Sequence, residues 1–349
     1  MNAAIAILAA LLIHASEADP RPSGPVSIEV HDADGLARAV AGLRGPQGGL
    51  IRLRPGAYIL DQPLRLVGVH CVTIQGGGWN TVLTRRGGGD LFVIEDSGFC
   101  VLRDLLLTAA DHNDTGSGIV FRGQSSSNTV ESCRIVDFPE SGVRFEGDPA
   151  APMSSNAVRN CHFIGNRGVQ LHSIHNNDYY IVGNQFGTHG TPPRVGCHLD
   201  HSSAGTYTLN YHWDNDVAFI LGPGAHFNRI ADNRFEESRR EGVRIGAENA
   251  TDACRLNIIT GNTIHTNGKG TLGRHPAVRA WRAEDTIFSA NQVFSWNTDQ
   301  TRHTAALVLD PACRAWIITA NTFRHHTDAA VTLAGEDHIL RDNIGADDD

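Results

Sequence analysis

The sequence predicts an all-β solenoid, a chain wound into stacked coils of short strands, and three observations carry that prediction. A motif of the form apolar-x-x-Asn-x-apolar returns at intervals of about 22 to 30 residues, the period of a solenoid. It centres on Asn184, Asn233, Asn262, Asn291 and Asn321, with a poorer copy at Asn210 and a last partial one at Asn343. Between these copies lies a second run, Gly-Val-x-apolar in character, at Gly118 to Phe121, Gly142 to Phe145, Gly168 to Leu171, Gly196 to Leu199 and Gly242 to Ile245. Looser copies begin at Ala277 and Ala330. Apolar and polar residues alternate inside these runs while helical periodicity is absent, so each run reads as a strand with one face in and one face out. Coils of this kind stack by parallel pairing with their neighbours.

Taken in order, the chain of 349 residues opens with an apolar segment from Ala3 to about Ala15, followed by small residues. That segment is too short to span a bilayer, and residues 1–20 read as a secretory signal, which implies a secreted or periplasmic protein. Residues 21–48 read as a strand and a short helix, because Leu36, Val40 and Leu43 share one helical face. Residues 49–345 carry the repeats, in about ten to eleven coils. Residues 346–349 form an acidic tail that includes Asp347, Asp348 and Asp349. Net charge is −9, Lys269 is the single lysine and no basic block occurs, which argues against nucleic acid as a partner. No later apolar run is long enough for a membrane helix.

The asparagines have a structural explanation. An Asn at a tight bend can take the left-handed conformation and bond nearby backbone, and amides stacked in successive coils can bond one another. Upstream, the same slot is expected to hold Gln75, Asp104, Cys133 and Cys161.

These features resemble the pectin-lyase-like family of right-handed parallel β-helices, over about Gly48 to Asn343. The run "GGLIRLRPGAYIL" followed by "VTIQGGG" is similar to that family's N-terminal coils, and "HDADGLARAVAGL" suits the short helix that caps its barrel. A cap matters because an open end exposes unpaired strand edges. The resemblance therefore implies a right-handed, single-stranded parallel β-helix with an N-terminal capping helix. It does not carry a reaction across, because the fold hosts lyases, hydrolases, epimerases, transferases and non-catalytic proteins. The Asn-Thr-Asp, Asp-Asp and Arg-Ile-Lys set of polygalacturonases is absent, as is the Asp-Pro-His motif of alginate epimerases, and "LDHSS" is only faintly similar to pectate lyases.

Seven cysteines leave at least one unpaired. Cys71 and Cys100 are placed in adjacent coils and could bridge on the outer face of an exported protein, or remain reduced. Cys133 and Cys161 read as stacked buried thiols, and Cys254 and Cys313 as aligned two coils apart, too far to bond. None of the spacings is that of a zinc site.

In the Gly-Val-x-apolar strand, the residue after the Val and the one two further on are expected to point outward. Coil by coil this aligns Arg144 with Glu146, Gln170 with His172, His198 with Asp200, and Arg244 with Gly246. The resemblance implies that this strand floors a saccharide cleft and that the loop before it forms a wall. Candidate catalytic residues are therefore His198, Asp200, Arg244, His172 and Glu146. A His beside an Asp can act as general base near neutral pH, and an Arg can neutralise a uronate carboxylate and so ease loss of the adjacent C5 proton. Candidate substrate-binding residues are Arg144, Gln170, His201, Trp213, Asp214, Asp216, Glu237, Arg239 and Arg240. Trp213 either offers an aromatic face to a sugar ring or fills the core in the Phe slot of the repeat.

Two classes of function follow. The first is a secreted enzyme on polysaccharide or oligosaccharide: a lyase or C5-epimerase on a uronate-containing glycan, or a glycoside hydrolase pairing Asp200 with Glu146, Asp214 or Asp216. The second is a non-catalytic, glycan-binding cell-surface protein, with a side-by-side oligomer as a further alternative. No metal or cofactor is called for, and calcium at Asp200, Asp214 or Asp216 is left open because no ligand array is evident.

Overall fold

The computed structural model describes residues 26–43, 48–110, 115–296 and 303–346. The expected signal over residues 1–20 and the acidic run Asp347 to Asp349 lie outside the described residues. Strands join into three long parallel sheets of 13, 11 and 11 strands, each coil giving one strand to each sheet in turn. The first sheet starts with Val26–Val30, the second with Gly56–Leu60 and the third with Leu64–Val67. That is about twelve turns, slightly more than the repeats alone indicated.

The N-terminal end is closed by the helix Ala33–Gly42. Asp32 caps it, its Oδ1 accepting the Gly35 N–H at 2.6 Å, and Leu36, Ala39 and Val40 are its buried face. Inside the solenoid, like residues stack coil on coil. The rings of Phe121 and Phe145 lie 4.6 Å apart, and those of Phe163 and Phe186 4.8 Å apart. Among the described residues no helix is long and apolar enough to cross a membrane.

The asparagine ladder exists, with one correction to its mechanism. The left-handed residue is the one before the Asn: Gly183, Leu209, Asp232, Gly261, Ala290, Ala320 and Asp342 all have φ between 55° and 70°. That corner turns the amide inward, where Asn184 Nδ2 donates to Val158 O at 2.9 Å and to Asn210 Oδ1 at 3.0 Å. Asn210, Asn233, Asn262, Asn291, Asn321 and Asn343 continue the column. A buried amide tying two coils together satisfies backbone groups that the corner strips of ladder partners, each bond contributing about 1 kcal/mol. Upstream, Cys133 and Cys161 occupy the slot as expected. Leu105 stands opposite Cys133, because Leu106 pairs with Arg134, while Asp104 takes the left-handed position and Gln75 stays in its strand.

All seven cysteines are free. The bridge considered between Cys71 and Cys100 fails on register. Thr73 pairs with Val101, so Cys100 faces Val72 and points inward, whereas Cys71 sits exposed at a left-handed corner with φ 58°.

Candidate functional site

The third sheet places the sequence candidates. Its outward-facing row runs, rung by rung, through Val120, Arg144, His172, His198, Ile220, Arg244 and Arg279. Adjacent rungs are about 4.8 Å apart, so consecutive side chains on one face touch. The next outward row, two residues along each strand, runs through Arg122, Glu146, Ile174 and Asp200. Arg144, His172, His198, Asp200 and Arg244 are thus brought together on one wall.

The register differs from the sequence alignment at two coils, since Ile220 and not Ala218 pairs with His198, and the earlier shift is the consequential one. Leu171, not Val169, pairs with Val143, which shifts His172 beside Arg144 and His198. The same shift removes Gln170 from the surface: it is fully buried, in a slot that is glycine in the coils on either side, Gly142 and Gly196. There its Nε2 donates to Asn215 Oδ1 at 3.1 Å and its Oε1 accepts from Asn166 Nδ2 at 3.4 Å. Gln170 is an internal bracket between coils and not a groove residue.

His172 and His198 stack with ring centroids 4.9 Å apart and planes inclined by 10°. Burial pushes His172 down to about 4, helped by His198 and Arg144 and opposed by Asp200. Burial also lowers His198, with Arg244 and His201 adding to the effect against Asp200. The Nε2 atom of each ring is buried and without a hydrogen-bond partner. Gly222 makes room for the His198 ring, since a Cβ there would lie 2.8 Å from its Nε2.

The charged neighbours are individually compensated. Glu146 is held by Arg122 at 2.7 Å and by Arg144 at 3.0 Å, and Arg122 also reaches Asp90 at 3.4 Å. Arg244 donates to Glu241 at 2.6 Å, and Glu241, almost fully buried, also faces His275 at 3.3 Å. Burial works to raise the Glu241 carboxyl, but Arg244 and Arg240 outweigh it and hold it below the usual carboxylate range. Asp200 Oδ1 lies 2.8 Å from His201 Nδ1, and the other ring nitrogen of His201, Nε2, lies 3.1 Å from Asp252 Oδ2. His201 therefore holds Asp200 at the turn that ends the strand.

The remaining candidates divide by position. Asp214 and Glu237 lie at the corner leaving the second sheet, where Lys269 ties both, Glu237 at 3.2 Å. Asp216, Arg239 and Arg240 follow on the segments that enter the third sheet, and their backbones are hydrogen-bonded coil to coil. These five belong to the loop wall. Trp213 does not fill the core: it is partly exposed. It is on the second sheet, packed beside Tyr211 at 5.1 Å and over Gly187, where a Cβ would come within 2.2 Å of its ring. The Phe slot is filled instead by His212, stacked between Phe186 and Phe235.

Glu241, His275, Arg279 and Trp281 also face this site and were not singled out from the sequence, although "AVRAW" contains a loose copy of the strand motif whose outward position is Arg279.

His172, His198 and Asp200 bring ligand atoms within 4.8 Å of one another, the one such group among the described residues. The imidazoles suit a transition metal better than calcium. However, the two rings lie in near-parallel planes, so their in-plane lone pairs do not converge on one point unless a ring tilts. The geometry fits a stacked imidazole pair more closely than a metal centre.

A family model described as a right-handed β-helix region matches residues 108–210. No curated protein sequence matches the chain. Solved structures match along most of its length at low identity. The A-module of the mannuronan C-5 epimerase AlgE6 from Azotobacter vinelandii is 14% identical with a TM-score of 0.68, covering 89% of this chain and 94% of that one. The DFA-IIIase from Arthrobacter chlorophenolicus A6, in complex with GF2, is 10% identical with a TM-score of 0.66, covering 92% and 98%. An alginate lyase from Paenibacillus is 13% identical with a TM-score of 0.53, covering 91% and 99%. The class of protein is therefore a right-handed parallel β-helix, with the pectin-lyase-like fold.

Proposed function

We propose that this protein is a carbohydrate-active β-helix protein that acts on a uronate-bearing glycan, as a lyase or a C5-epimerase, through the outward wall of its third sheet. The epimerase, lyase and DFA-IIIase that share the fold support a carbohydrate role in general. The observation that carries the finer reading is the in-register order Arg144, His172, His198, Ile220, Arg244, in which a pair of imidazoles is flanked by guanidiniums on one face.

An extended glycan lying along the solenoid axis would meet these rungs in sequence. Arg144 or Arg244 pairs with a carboxylate and draws charge from it, which acidifies the C5–H bond. His198, kept uncharged by its burial, accepts the C5 proton. In elimination, the C5–H electron pair forms the C4–C5 double bond and the C4–oxygen bond breaks, the leaving oxygen taking a proton. In epimerisation, a proton returns to C5 from the opposite face. Glycoside hydrolysis fits less well, because both carboxylate oxygens of Glu146 are tied to guanidiniums, Oε2 to Arg122 and Oε1 to Arg144, and neither is free to meet a glycosidic oxygen.

Incubation with uronate-bearing and neutral polysaccharides tests the reading. Ultraviolet absorbance follows the unsaturated product, deuterium uptake at C5 follows epimerisation, and reducing ends follow hydrolysis. Turnover of an acidic glycan is expected, with His198→Ala lowering kcat by roughly 100-fold or more. Full activity in His198→Ala and Asp200→Ala, or turnover of neutral glycans alone, overturns it. Export, expected from residues 1–20, is part of the same proposal.

A further inference from the structure

We propose that Arg279 and Trp281 form a separate subsite for a carboxylate-bearing sugar, three rungs along the axis from His198. The inference rests on the uronate reading above and adds where, and in what direction, the glycan extends.

Register places Arg279 in the row of His198, Ile220 and Arg244, and Trp281 in the row of Asp200. Leu199 pairs with Leu221, Leu221 with Ile245 and Ile245 with Ala280, so the row from Asp200 continues through Gly222 and Gly246 to Trp281. Two successive positions there have no side chain. No side chain therefore stands in that row between Asp200 and the Trp281 ring, with Ile220, Arg244 and Arg279 alongside and the His198 ring leaning over Gly222. Three rungs span about 14 Å, a length of a few pyranose units.

The charge balance sets Arg279 apart. Arg144 and Arg244 have carboxylate partners, whereas Arg279 has no ion pair among the described residues. Its Nε is buried and lacks a hydrogen-bond acceptor. A guanidinium partly withdrawn from water without an anion is costly, and a bound carboxylate would remove that cost. The acid nearest in register, Asp310, is committed elsewhere: its Oδ1 accepts the backbone N–H of Arg282 at 3.3 Å and of Ala312 at 2.9 Å. Both guanidiniums also sit over the indole, Arg244 at 5.9 Å and Arg279 at 5.6 Å from its centroid. An aromatic face beside a free guanidinium offers what a uronate needs, a surface for its C–H face and a fork for its carboxylate.

The test measures binding as well as turnover. Calorimetry with mannuronate and galacturonate oligosaccharides, short and long, and with neutral manno-oligosaccharides as control, is run on the wild type, Arg279→Ala, Arg279→Lys and Trp281→Ala. Long acidic oligosaccharides are expected to bind Arg279→Ala about tenfold to a hundredfold more weakly, with Arg279→Lys recovering only part of the loss. Short ones that reach only the imidazole pair bind all four proteins alike. If there is turnover, the Arg279→Ala loss falls in KM and not kcat. Equal weakening for short and long acidic chains, no weakening at all, or no binding of acidic oligosaccharides by the wild type overturns the subsite. Length-dependent binding without turnover leaves the subsite standing and removes the lyase or epimerase reading instead. Unchanged thermal midpoints show that the variants are folded.

Discussion

Replacing His212 by Phe is expected to make the protein more resistant to acid. His212 stands in the core column between Phe186 and Phe235, fully buried, and burial pushes its imidazole down to about 3. In the unfolded chain the same group titrates near 6.5, the ordinary value of a histidine in water. The unfolded state therefore binds a proton that the folded state refuses, and stability falls as pH drops below that unfolded value. At pH 5 this costs the folded protein about 2 kcal/mol relative to pH 7, from that one residue. Phenylalanine fits the slot: Gly196 leaves space against the His212 ring as Gly142 does against Phe163. The substitution also deprives the Tyr207 hydroxyl of its imidazole partner, but that loss is the same at both pH values. Urea unfolding of wild type and His212→Phe at pH 5 and pH 7 isolates the effect as a difference of differences. A gap between the proteins that does not change by about 2 kcal/mol between the two pH values refutes the buried, neutral imidazole.

Two more outcomes are expected. Asn262→Ala removes the oxygen that accepts from Asn233 N and Nδ2 and the amide that donates to Ile230 O and Asn291 Oδ1. The orphaned donors should cost about 3 kcal/mol, read as a lowered thermal midpoint, and an unchanged midpoint would show that the ladder contributes little. Treatment with a strong chelator should leave turnover and binding of acidic oligosaccharides unchanged, as the parallel His172 and His198 rings require. Activity lost to chelation and restored by a divalent ion would assign the pair to a metal.

By itself the sequence determined the solenoid, its parallel strands and the wall on which Arg144, His198, Asp200 and Arg244 meet. Repetition writes local choices many times over: the Asn of one coil predicts the Asn of the next, and alternation fixes which face each residue takes. Only the tertiary structure decided register, because a strand that matches the motif can still slide against its neighbours. Gly168 to Leu171 matches it well, yet the coil pairs two residues further on, which buries Gln170 and sets His172 beside His198. Position around the solenoid was equally hidden: Trp213, close in sequence to the groove strands, lies on the second sheet, while Trp281, far along the chain, falls in the row of Asp200. Which side chains become neighbours depends on how coils of unequal length stack, and that is a property of the whole spring rather than of any one turn.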